Sequence, residues 1–154
     1  MIRAIVESSV LIENLAATTS NAVVDELLGA VVAAGKIAKP KLASIKKSLA
    51  ERESKGSTGI GNGVAVPHVK TDAVSAPVLA FGRSNDGISD WHAIDGRDVH
   101  LVFLILAPTH SAEQHLALLR WISTLARDAD FRRFARAAED ADALRELMRE
   151  MIRD

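Results

Sequence analysis

The chain has no cysteine among its 154 residues. That removes disulfide frameworks, thiolate metal sites and a cysteine nucleophile, and it is compatible with a reducing compartment without proving one. A surplus of charge is missing as well. Nineteen basic residues face twenty acidic ones, for a formal charge of −1, so the basic excess that drives sequence-independent binding to nucleic acid or anionic lipid is absent. A balanced total does not forbid a local basic patch. The longest strongly apolar run, Leu101 to Pro108, falls far short of the ~20 residues that span a bilayer, and Met1-Ile2-Arg3 does not open a signal peptide. These absences predict a soluble, cytoplasmic protein with no nucleic-acid partner and no membrane insertion.

What is present suits one domain over residues 1–154, of a size that buries roughly 70% of the surface its unfolded chain exposes. Ser20 or Asn21 is placed to cap a helix whose apolar residues Val23, Val24, Leu27, Leu28, Val31 and Val32 recur at helical spacing, with Gly35 to end it. Pro40 suits the first turn of a second helix carrying Leu42, Ile45 and Leu49 on one stripe and ending near Ser54. Val64-Ala65-Val66, Val78 to Gly82 and Val99 to Ala107 read as strands, the last apolar at nearly every residue, as expected of a central strand covered on both faces. Ser111-Ala112-Glu113-Gln114 is a capping-box pattern that opens a helix through about Arg127, and two more helices fit Phe131 to Ala138 and Ala141 to Ile152. The order predicts an α/β domain with a mixed sheet of about five strands and helices on both faces. There is no internal repeat, low-complexity tract or interdomain linker.

The densest chemistry lies in Gly56-Ser57-Thr58-Gly59-Ile60-Gly61-Asn62-Gly63-Val64-Ala65-Val66-Pro67-His68. Two readings of this stretch stand side by side. In one, the glycines let backbone N–H groups turn towards an anion, and His68 sits at the rim of that nest. In the other, the stretch is a hairpin or connection that requires positive φ angles, and His68 merely follows it. The pattern is neither a Walker loop nor a dinucleotide fingerprint. His115 carries a separate argument. With Ser111 as N-cap it falls in the first turns of its helix, above Leu119 and Ile122, and points inward at the end of the dipole that favours anions. The competing reading is a core-edge histidine satisfied by one carbonyl.

Taken whole, Arg52-Glu53-Ser54-Lys55 and the glycine-rich stretch through Pro67-His68 resemble the active-site motif of the enzyme IIA domains of the bacterial phosphoenolpyruvate:sugar phosphotransferase system. The likeness is greatest to the fructose/mannitol class with its nitrogen-regulatory branch. Asp95-Gly96 before the apolar strand, and Glu113-Gln114-His115-Leu116 after it, extend the match over nearly the whole chain. The resemblance implies that His68 is the phosphoryl acceptor through Nε2, that His115 is the second active-site histidine and that Arg52 neutralises charge. It assigns Ser57, Thr58, Gly61, Asn62 and Gly63 to phosphoryl binding by the loop. It implies the histidine-containing phosphocarrier protein as donor, a IIB domain or a regulatory target protein as the next partner, and neither metal nor cofactor. Val69 departs from the pattern, since many members have Gly or Ala there.

The absence of fused IIB or membrane IIC segments inclines the expectation to the nitrogen-regulatory role. The alternatives are a sugar-specific transport component and a binding module that does not transfer the group onward. A metal-dependent hydrolase using His68, His110 and His115 ranks last, because no recognisable ligand spacing is present. His92, His100 and His110 are expected to be structural or solvated, with His110 close enough in sequence to His115 for a marginal contribution.

Overall fold

A computed structural model of the chain describes residues 1–153. Its centre is β6 (Val99–Ala107), with Leu101, Phe103 and Ile105 facing one way and Val102, Leu104 and Leu106 the other, all essentially buried. Successive side chains of a strand point to opposite faces, so this run supplies a core on each side of the sheet. The first core is closed by α1 (Ile2–Glu7), α4 (Ala112–Arg127), α5 (Ala129–Ala137) and α6 (Ala141–Glu150). The second is closed by α2 (Ser20–Ala33) and α3 (Leu42–Ser54).

The sheet is mixed, as expected, and among the described residues has six strands rather than about five. Its order is β1 (Val10–Ile12), β5 (Val78–Ile88), β6, β3 (Val64–Ala65) and β2 (Gly59–Gly61), with β4 (His68–Lys70) pairing with β6 off this path. β5 and β6 are antiparallel, while β1 runs parallel to β5, and β3 and β4 run parallel to β6. The segments absent from the sequence reading, β1, β2, β4 and α1, are too short to show a period of their own. β5 runs on to Ile88 past the expected end at Gly82, with an irregular register between Arg83 and Ile88.

Helix ends differ from expectation where side-chain bonding decides them. Thr19, not Ser20 or Asn21, caps α2 by accepting from Ala22 N at 3.3 Å. Gly35 follows that helix at φ +75°, the left-handed position that suits glycine. The capping box of α4 does not form: Ser111 Oγ donates to Pro108 O at 3.2 Å and leaves the first amides of the helix uncapped by it. α5 begins at Ala129 because Asp128 accepts from Phe131 N. Among the described residues no helix is long and apolar enough to cross a membrane.

Candidate active site

The glycine-rich stretch is a hairpin. β2 and β3 pair antiparallel across the Asn62-Gly63 turn, with φ of +59° and +77° at its two central residues. Both angles are positive, as a two-residue hairpin turn demands, which is why Asn and Gly stand there. Gly59 answers a different need, since a Cβ there would lie 2.9 Å from Ala93 Cα. Polar groups of the turn bond within the fold: Asn62 N donates to Asp95 Oδ2 at 2.8 Å, and Gly63 O accepts from His100 N and Leu101 N.

After β3, Val66 and Pro67 interrupt the ladder and the chain rejoins β6 as β4. Val64 pairs with Leu101 and His68 with Ile105. Four residues of strand therefore separate the turn from His68, about 13 Å at the usual rise. The structure does not bring Gly61, Asn62 and Gly63 to the histidine. Ser57 and Thr58 lie nearer, because Val66 N donates to Thr58 O at 2.9 Å, but their side chains are engaged. Thr58 N and Oγ1 donate to the Glu53 carboxylate at 2.7 and 2.5 Å, Trp91 Nε1 donates to Thr58 Oγ1 at 3.2 Å, and Ser57 Oγ donates to Trp91 O at 2.6 Å. These groups clamp the loop from below. Arg52 reaches the same loop, with Nη1 donating to Gly56 O at 2.9 Å.

His68 is half-buried on β4, whose outer side carries no further strand among the described residues. Its Nδ1 lies 2.7 Å from Val66 O. A carbonyl only accepts, so Nδ1 carries an N–H, and it is the neutral ring with this tautomer that presents a lone pair at Nε2. Strand alternation turns Val69 to the opposite face, where it packs on the α2–α3 core. That leaves His68 and Lys70 together on the face of α4.

α4 brings the second imidazole. His115 belongs to a buried stripe with Leu118, Ile122 and Leu125, whereas Leu119 is only half-buried. The ring of His115 is 5.5 Å from that of His68 between centroids, tilted by 43°. It is 7% exposed, and its Nδ1 is buried without a partner. Burial first, then the adjacent His68 ring and the Lys70 ammonium, hold its pKa below the usual histidine value. The ring is therefore neutral at pH 7. An N–H at Nδ1 would be an orphaned buried donor, which assigns the proton to Nε2. The two rings thus face each other, His68 with Nδ1 engaged by a backbone carbonyl and His115 almost wholly buried.

Sequence reasoning missed Glu53, Trp91 and Lys70. The period of two in a strand places Lys70 beside His68 once β4 is recognised, but nothing in the sequence joins Glu53 and Trp91 to Thr58. His92 and His110 are exposed, and His100 Nδ1 lies 2.9 Å from Ser84 O. Among the described residues no three His, Cys, Asp or Glu side chains gather as metal ligands.

Residues 4–151 match the family described as phosphoenolpyruvate-dependent sugar phosphotransferase system, EIIA 2. A fructose-specific EIIA component of Haloferax volcanii is 36% identical over 134 residues, covering 87% of this chain and 85% of that protein. A nitrogen regulatory protein of Pseudomonas aeruginosa is 39% identical over 105 residues, or 68% of each. The fructose-specific EIIABC component of Bacillus subtilis is 39% identical over 131 residues, which are 85% of this chain but only 20% of that protein. Among solved structures, the nitrogen regulatory protein IIA-Ntr of Neisseria meningitidis superposes with a TM-score of 0.79 at 25% identity, covering 96% of this chain and 98% of its own. The mannitol IIA of Escherichia coli, solved in complex with phosphorylated IIB, shares the fold with a TM-score of 0.72 at 17% identity, covering 92% of this chain and 94% of its own.

Proposed function

Because the chain belongs to the EIIA type-2 family of the phosphoenolpyruvate-dependent sugar phosphotransferase system, we propose that it accepts a phosphoryl group on His68 Nε2 from the histidine-containing phosphocarrier and acts in a nitrogen-regulatory role. The observation that carries the acceptor assignment is the 2.7 Å contact between His68 Nδ1 and Val66 O. The Nε2 lone pair forms the new N–P bond while the donor's N–P bond breaks and its electron pair returns to the donor imidazole. No proton has to leave Nε2. The ring gains positive charge as the bond forms, and its Nδ1–H bond to the Val66 carbonyl strengthens accordingly.

His115 donates from Nε2 to a phosphoryl oxygen, and Lys70 adds positive charge on the same face. Arg52 acts through the loop it holds, and Ser57 and Thr58 act through the geometry they fix. Catalysis of this kind is positioning and charge neutralisation. The regulatory role is supported by the full-length likeness to the Neisseria IIA-Ntr. A second reading, a fructose-specific transport component, is supported by the Haloferax relative.

The test is incubation with phosphoenolpyruvate, enzyme I and the phosphocarrier, followed by mass spectrometry in alkali, which spares the P–N bond. One phosphoryl group is expected, and undiminished labelling of His68→Ala would overturn the assignment. A chase with a fructose-type IIB domain separates the two roles, since rapid onward transfer favours transport and retention favours regulation.

A further inference from the structure

The phosphoryl chemistry leaves unused the end of the molecule around the Asn62-Gly63 turn, where a nearly neutral chain gathers charge of one sign. An open depression of about 530 Å³ is lined there by Arg97, from the loop before β6, and by Arg132, Arg133 and Arg136 of α5, with Asn62 at its edge. The remaining wall is Ala129 and Ala137, and among the described residues no carboxylate lines it.

Neutralisation within the fold is thin. Arg133 meets Asp130 at 3.2 Å with both side chains at least 70% exposed, so the pair is screened by solvent and salt. Arg97 lies 3.9 Å from Asp95, whose oxygens already accept from Asn62 N and Arg97 N. Arg132 gives Nη1 to Ala126 O and keeps its other donors. Arg136 has no acidic partner among the described residues. Four like charges around one hollow repel one another, and an anion seated between them relieves that repulsion.

The guanidinium group is a planar fork that matches phosphate oxygens two at a time. Four forks from two separate elements offer more donors than a single phosphate or carboxylate accepts. The volume lies within the small-ligand range of about 300–1,000 Å³. We propose that this depression is a second binding site, distinct from the His68 face, for a compact polyanion bearing two or more linked phosphates, such as the polyphosphate of a nucleotide. The site is independent of the phosphoryl-transfer reading, because His68 lies at the other end of β6.

The experiment is a titration of ¹⁵N-labelled protein with inorganic tripolyphosphate at physiological salt. Saturable shifts are expected at Asn62, Arg97 and residues 129–137, unchanged in His68→Ala. Affinity should fall at least tenfold in the paired variant Arg97→Gln with Arg136→Gln, neither of whose side chains holds the fold together, and that variant should still accept a phosphoryl group normally. Four results would overturn the proposal: no saturation at millimolar tripolyphosphate, shifts centred on residues 68–70 and 112–115, full affinity in the folded paired variant, or tighter binding of an oligoglutamate peptide of equal charge.

Discussion

The turn and the tail of one unbroken stretch, Gly56 to His68, are built for different work. At the turn, Asn62 and Gly63 hold positive φ angles and spend their polar groups on Asp95, His100 and Leu101. At the tail, His68 keeps one nitrogen free, on a strand edge, facing a buried imidazole. Continuity in sequence is therefore not continuity of site: the glycines serve the hairpin that returns the chain to β6 at the register where His68 meets His115. Substitutions at the tail should change transfer rates, and substitutions at the turn should change stability.

The largest effect is expected from His115→Ala. A hydrogen bond to a charged group is worth roughly 1.5–3 kcal/mol, so loss of the donor should slow phosphoryl transfer on the order of tenfold to a hundredfold. Circular dichroism should show the fold retained, and a rate within twofold of the native one would remove His115 from the mechanism. Glu53→Gln comes next and acts on the loop before the hairpin. It replaces a carboxylate that accepts two bonds from Thr58, and should cost about 1–3 kcal/mol in urea unfolding. The slackened loop should also transfer more slowly.

Gly63→Ala isolates the turn. Its Cβ would meet nothing nearer than 3.5 Å, so only the left-handed backbone is penalised, by roughly 1–2 kcal/mol of stability. Transfer by the folded protein should be unchanged, and a loss of rate at full stability would return the turn to the active site. The smallest effect is a pH dependence. Folding holds the His115 pKa below its ordinary value of 6.5, chiefly through burial, so between the folded and unfolded values the unfolded chain binds more protons. The stability tied to this group is complete above about pH 6.5 and is lost as pH falls through the lowered value. Urea titrations from pH 7.5 to 5 should show that decline, and His115→Gln should flatten it.

The sheet centre and the long helices were legible because their signals are long. β6 is apolar almost throughout, and α2, α3 and α4 carry helical stripes over three turns or more. Strands of two or three residues carry no period, so β2 and β4 emerge only from their pairing with β3 and β6. The acceptor candidate and its histidine partner were legible as a resemblance, and their approach depends on β4 and α4 sharing one face. The resemblance alone assigns Ser57 and Thr58 to the phosphoryl group. Their actual partners, Glu53 and Trp91, are joined to them by folding, with Trp91 thirty-three residues beyond Thr58. The capping box at Ser111 failed for a local reason, since its hydroxyl found the Pro108 carbonyl first.

The central claim is that the Val66 carbonyl fixes which nitrogen of His68 reacts. It is tested most directly by ¹⁵N–³¹P spectroscopy of the phosphorylated, histidine-labelled protein in mild alkali. The account predicts one phosphorus coupled to Nε2 of His68, with the Nδ1 proton retained. Coupling to Nδ1 of His68, or to either nitrogen of His115, would contradict it.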